Sequence, residues 1–186
     1  MPMPKFKFSF ALPRDQKVAI ADSSGIGTLA EYIPKHEISI IDLERINVFV
    51  LLRMLVSGKK SLFDYTVTYI KTFRPSFVFT FLDNNVEFYK LAAIFPEIKF
   101  IAIQNGHRAN YANQLGSGFF DQLRNESAKQ KLSAHAICVL GTMSADQYTQ
   151  YIQTKPVVTG SLKNNLIGNQ IKRTEHFDIV YVSQHA

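Results

Sequence analysis

Tryptophan is missing from this chain and cysteine occurs once. One thiol, Cys138, cannot build an internal disulfide framework, which fits a reducing compartment. It lies in the apolar run "AHAICVLG", the setting of an inert core thiol rather than a nucleophile. Long hydrophobic runs are also lacking. The longest, "INVFVLLRMLV", is interrupted by Arg53 and falls far short of the roughly 20 residues a spanning helix needs. The start, "MPMPKFKFSFALPR", has prolines and alternating Lys and Phe where a signal peptide carries a continuous apolar segment, so a cytoplasmic protein is expected. No metal-ligand spacing is present: His36, His107, His135, His176 and His185 are scattered, with no H-x-x-x-H and no Cys pair. A G-x-S-x-G nucleophile elbow is absent as well. Neither a metal nor a resident cofactor is expected.

Hydrophobic residues make up 46% of the chain and charged residues 19%, the balance of a packed globular protein with one ordinary domain or one domain and a fragment of another. Fifteen Phe and eight Tyr point to an aromatic core. The net charge of +6 invites an anionic partner. The basic residues are spread out, and no Lys/Arg-rich run with interleaved aromatics occurs beyond "KFKF". Nucleic acid is therefore not the expected partner, whereas a peripheral contact with an anionic membrane face is.

Short apolar runs at 17–21, 37–41, 76–82, 99–104, 136–141 and 155–160 are continuous rather than alternating, as suits strands covered on both faces of a parallel sheet. Helix-like segments separate them. "INVFVLLRMLVSG" ends on Gly58, "SLFDYTVTYIKTF" runs up to Arg74-Pro75, and "NVEFYKLAAIFP" stops at a proline. "SADQYTQYIQT" opens on Ser144, a residue able to cap. Strands alternating with helices predict an α/β fold with a Rossmann-like, doubly wound, mostly parallel sheet. The expected organisation is an N-terminal extension over 1–16, a Rossmann-like domain over 17–162, and a linker with a further strand over 163–186. That last strand, "HFDIVYVSQHA", reads as the first strand of a second α/β domain that is truncated. Its edge and those of the sheet invite self-association.

Ligands of open α/β sheets bind at the carboxyl ends of the strands, near the switch in strand order. Four polar clusters fall at such ends. In "ADSSGIGTLA", Gly25 and Gly27 with Ala30 satisfy G-x-G-x-x-A, and Asp42 closes the next strand where a dinucleotide site places its ribose-binding acid. The alternative is a plain glycine turn, since "TLAEYIPK" is short and holds Pro34. In "FLDNNVEFY", one of Asp83, Asn84 and Asn85 is expected to cap the following helix, leaving the others for ligand hydroxyls. In "KFIAIQNGHRANY", Gly106 permits a tight turn, His107 can act as general acid or base, and Arg108 can hold a phosphate or carboxylate. The alternative is a polar exit loop in which Arg108 meets Asp83 or Asp121. In "VTGSLKNN", Ser161, Lys163 and Asn164 form an anion-binding turn or an interdomain linker.

The segments "INVFVLLRML", "FTFLDNNVEFYKLAAIFPEIKFIAIQNGHR" and "VVTGSLKNN", in this order, resemble a family of bacterial surface carbohydrate biosynthesis proteins. That family is itself similar to GT-B glycosyltransferases and, more weakly, to capsule transferases and glycerophosphotransferases. The resemblance spans roughly residues 17 to 165 and is most specific from Asp83 to Arg108. It implies two facing Rossmann-like domains, the first holding a carbohydrate acceptor and the second a nucleotide-sugar donor. By this resemblance Asp83, Asn85, Gln104, Asn105, His107 and Arg108 would line the cleft side of the first domain; Asn84, Gly25 and Gly27 are further candidate substrate-binding residues. His107, with Asp83 as the second choice, would be the catalytic base. Ser161, Lys163 and Asn164 would face the donor phosphate. With the donor domain missing, a chain of this extent is expected to be inactive alone. A nucleotide- or dinucleotide-binding module on the Gly25–Gly27 loop and a non-catalytic interaction domain are the competing readings.

Overall fold

The computed structural model describes residues 7–11, 16–41, 45–106 and 118–162. Six strands form one parallel sheet: β2 (Val18–Ile20), β3 (Ile38–Ile40), β5 (Phe77–Thr80), β6 (Lys99–Ile103), β7 (Ser133–Val139) and β8 (Gln153–Val158). Their spatial order is β3-β2-β5-β6-β7-β8, and every pairing is parallel. Counted within this sheet, the order is 2-1-3-4-5-6. The chain first steps to one side of β2 and then crosses back to build outward from β5, so the switch point lies between β2 and β5.

Residue alternation divides the apolar side chains between the two faces. Ala19, Val78, Phe100, Ala102 and Ile137 join a large core with helices α2 (Val48–Val56), α3 (Leu62–Phe73), α4 (Val86–Ile94), α5 (Phe119–Ser127) and α6 (Thr142–Thr149). Val18, Ile20, Ile38, Phe81 and Ile103 form a smaller core with Leu29 of helix α1 (Ile26–Ala30). Helices thus lie on both faces of a mostly parallel sheet, the doubly wound architecture expected from the continuous apolar runs.

Most predicted elements appear close to their expected positions. The expected stop of α3 is explicit: Arg74 adopts φ +46 at the helix end and Pro75 follows. Helix α3 also opens on a reciprocal cap, Ser61 Oγ accepting from Asp64 N while Asp64 accepts from Ser61 N. Four features differ from the sequence reading, one being helix α5, where no helix was expected. Residues 7–9, assigned to an extension, form strand β1 (Lys7–Ser9), which pairs in parallel with β4 (Arg45–Asn47) as a separate small sheet. The helix expected from Ile46 starts two residues later because Asn47 ends β4 and caps α2, its Oδ1 accepting from Phe49 N and Val50 N. Ser144 does not cap α6: the helix begins earlier, after Gly141, and Ser144 is buried in its first turns, 3.5 Å from Gln104 Nε2. The strand predicted over 177–182 lies outside the described residues.

Candidate functional site

The carboxyl edge of the sheet carries two layers of polar groups. The inner layer is buried and tied together. Asp22, after β2, accepts through Oδ2 from Thr80 Oγ1 and Phe81 N, both at 2.9 Å. Its Oδ1 accepts from Gly25 N at 3.3 Å and from the Ser24 hydroxyl. One carboxylate therefore clips the β2 loop to the end of β5 across the switch point.

Asp83 performs the same task one strand along. It is 0% exposed. Its Oδ2 accepts from Tyr148 Oη of α6 at 2.5 Å, and its Oδ1 from Asn105 N at 3.1 Å. Its backbone carbonyl accepts from Tyr89 Oη at 2.6 Å. Gln104, also buried, donates through Nε2 to Gly106 O at 2.9 Å, and its Oε1 accepts from Leu140 N at 2.9 Å. The ends of β5, β6 and β7 are thus fixed to one another and to α6 by side chains that water does not reach. Buried polar groups of this kind are stable only when paired, and their pairing rigidifies what they join.

The outer layer is accessible. Asn84 and Asn105 are exposed, and Asn85 and Ser161 are half-buried. Asn85 is the predicted helix cap, its Oδ1 accepting from Glu87 N at 3.1 Å at the start of α4. It also lines a cavity of about 500 Å³ with Ala21, Ile41, Phe63, Thr66 and Phe88. That cavity opens at the carboxyl ends of β2 and β3, between the first turns of α3 and α4. Its lining is mainly apolar with a few polar groups, the usual make-up of a small-molecule site. Gln104, Asn105 and Ser161 meet around a second, much smaller crevice with Phe81, Ile103 and Leu162. Its volume of about 10 Å³ accommodates about one water.

Gly25 and Gly27 are separated in role by their surroundings. A Cβ on Gly25 would lie 1.9 Å from Phe81 Cδ2, so glycine there is required by the close packing of the β2 loop on a buried ring. The Gly25 amide, which a pyrophosphate would need, already donates to Asp22, and α1 is only five residues long. Gly27 faces open space. His107, Arg108, Lys163, Asn164 and Asp42 lie outside the described residues. Asp121, the alternative partner for Arg108, stands 3.3 Å from Arg124. Burial raises the Cys138 thiol above its ordinary pKa, which disfavours the thiolate. Among the described residues, no three His, Cys, Asp or Glu side chains converge as a metal set.

The sequence reading missed Asp22, the most connected group at the switch point, because attention fell on the glycines that follow it. It also missed Tyr148, since a tyrosine inside an amphipathic helix gives no sign of which carboxylate it will reach.

Residues 101–186 match the model of a family described as "putative O-antigen biosynthesis protein". Among the described elements, the matched span takes in most of β6 and all of α5, β7, α6 and β8. No curated protein and no solved structure matches the chain. The family match supports a role in surface carbohydrate biosynthesis, the class of function that the resemblance implied.

Proposed function

We propose that this chain is the acceptor-side, Rossmann-like half of a GT-B-like glycosyltransferase acting in surface polysaccharide biosynthesis. The observation that carries the reading is the cavity of about 500 Å³ beside the switch point, with Asn85 on its wall, in a chain with a family match to O-antigen biosynthesis. A sugar presents apolar C–H faces and a rim of hydroxyls. Phe63, Phe88 and Leu91 suit the former, and Thr66, Asn85 and Glu87 the latter.

In this reading the acceptor sits at the carboxyl edge, and the donor is held by a second Rossmann-like unit facing it. Asp83 acts as a positioning residue. Its buried carboxylate holds the Asn105 amide, two residues before His107 in the sequence. His107 takes the proton from the attacking hydroxyl, and Arg108 compensates negative charge on the leaving phosphate. Asn84, Asn105 and Ser161 bind acceptor hydroxyls or the donor side of the cleft.

The test is transfer of a labelled sugar from nucleotide-sugar donors to endogenous acceptor in extracts of the source cells. Deleting the gene should abolish incorporation, and restoring it should recover it. His107→Ala or Arg108→Ala should fail to restore it. Unchanged incorporation in the deletion strain would overturn the transferase reading, and full rescue by both variants would overturn the site assignment. The dinucleotide reading predicts heat on titration with NAD or NADP. With Gly25 packed on Phe81 and its amide engaged, calorimetry should show none.

A further inference from the structure

Helix α2 has the wrong surface for a helix that meets only water. Val50 and Met54 face the large core, whereas Phe49, Leu52 and Val56 lie on the opposite side, at spacings of three and four residues. Their exposures are 41%, 54% and 90%, and Leu55 beside them is 51% exposed. Apart from Arg53, the nine residues "VFVLLRMLV" are all apolar. A surface helix normally turns charged residues outward, so a contiguous apolar stripe there marks a contact surface.

The stripe is bordered by positive charge. Arg53 leaves the same helix and lines a recess of about 660 Å³ with Lys71, Arg74 and Lys99, against which Glu97 is the one acidic group among the described residues of the lining. Ile70, Phe77, Phe95 and Ile98 supply its apolar walls. Lys59 and Lys60 follow directly after α2, Lys59 standing 4.0 Å from Asp64. The recess opens at the amino ends of β5 and β6, the end of the sheet opposite the candidate site.

We propose that the outer face of α2 and the basic recess beside it form a docking surface for an anionic lipid bilayer. Phe49, Leu52, Leu55 and Val56 enter the interfacial region, and Arg53, Lys71, Arg74 and Lys99 meet lipid phosphates. The charge pattern selects this occupant. A protein partner or a second copy would cover the apolar stripe equally well, but a copy of this basic chain would bring like charge against the recess. Apolar burial and attraction of basic groups to anionic headgroups are the two contributions by which interfacial helices hold to membranes. No helix among the described residues is long and apolar enough to cross a membrane, so the contact is peripheral.

The absence of tryptophan supplies the experiment. The full chain carrying Val56→Trp has a single indole, placed at the most exposed position of the stripe. With vesicles of phosphatidylglycerol and phosphatidylcholine its emission should shift to the blue and be quenched by brominated acyl chains. Pure phosphatidylcholine should give a much weaker response. Each neutralisation among Arg53→Gln, Lys71→Gln and Arg74→Gln should weaken vesicle partition about fivefold, and raised salt should weaken it further. Leu52→Glu, at a site already open to water, should reduce partition at least tenfold while leaving the far-ultraviolet circular dichroism unchanged. No blue shift on anionic vesicles, or equal binding to neutral ones, would overturn the proposal. So would a concentration-dependent dimer in sedimentation that Leu52→Glu abolishes, since that outcome assigns the stripe to a second copy. Vesicle binding is read without any transfer reaction, so this proposal and the transferase reading stand or fall separately.

Discussion

At Gly25 the chain is constrained by a single neighbouring ring, and at Gly27, two residues on, by nothing nearby. The two glycines look equivalent in the G-x-G-x-x-A pattern, yet they should respond oppositely to the same change. Gly25→Ala drives a methyl into Phe81, a fully buried side chain, and overpacking of this kind costs roughly 1–3 kcal/mol. Gly27→Ala adds a better helix former inside α1 at no steric cost and stabilises by up to about 1 kcal/mol. Urea midpoints of the two variants check the pair, and a Gly25→Ala protein as stable as wild type would remove the packing explanation. The buried Asp83–Tyr148 hydrogen bond permits a second test. Tyr148→Phe takes one donor from a carboxylate that water does not reach, with an expected cost of about 1–3 kcal/mol. Because Asp83 also holds Asn105 N, the Asn105 amide resonance should move in the same variant. The residue types at this edge were readable from the sequence. Which were struts and which faced solvent was not, because Asp83 and Asn84 are adjacent and only the turn after β5 decides which one points inward.

Helix starts were legible where a side chain caps and obscure where the cap also serves another element. Ser61 and Asn85 stand where propensity puts them. Asn47 was missed because it belongs to β4 as well as α2, and Nδ2 reaches across to Ala11 O at 2.9 Å. Helix α5 was missed altogether: its sequence, FFDQLRNES, is mostly polar beyond its opening Phe pair, and only Phe120 and Leu123 are buried. Beyond those two apolar anchors, one ion pair crosses from α4 to α5: Lys90 Nζ stands 2.9 Å from Glu126 Oε2, and it also meets Glu87 Oε1 of its own helix at 2.9 Å. Glu126 is held at about 2, below its ordinary value of 4.5, first by the hydrogen bond from Lys129 and then by that from Lys90. The folded value lies below the unfolded one, so this contribution is fully present above pH 4.5 and is lost as the pH falls through about 2. Glu126→Gln should therefore lower the denaturation midpoint slightly at pH 7, and the difference from wild type should close near pH 2. An equal difference at both pH values would mean that packing, not charge, accounts for the effect.

Over the whole molecule, continuous apolar runs were enough to predict a parallel sheet, because a strand buried on both faces has no polar side to alternate with. Strand order was not accessible by that route. Nothing in "KVAIA" or "SFVFTFL" says that β2 and β5 are neighbours, and that adjacency creates the switch point. The small β1–β4 sheet was hidden for the converse reason. Its strands are three residues each, and β1 is largely exposed, so burial leaves little pattern to read. This difference in burial predicts a difference in cooperativity. Amides of Val78, Phe100 and Ala102 lie in strands whose side chains are at most 1% exposed at these positions and paired on both edges. They should exchange with solvent only through global unfolding, with a steep dependence on urea. Ile46 pairs with Phe8, a residue 58% exposed on a strand with no other neighbour in its sheet among the described residues. Its amide should exchange through local opening, with little urea dependence, because few apolar contacts are broken when that pair separates. If both sets merged on one steep line, the β1–β4 pair would belong to the same cooperative unit as the central sheet, and its contacts with α2 and α3 through Asn47 would have to be stronger than their burial indicates.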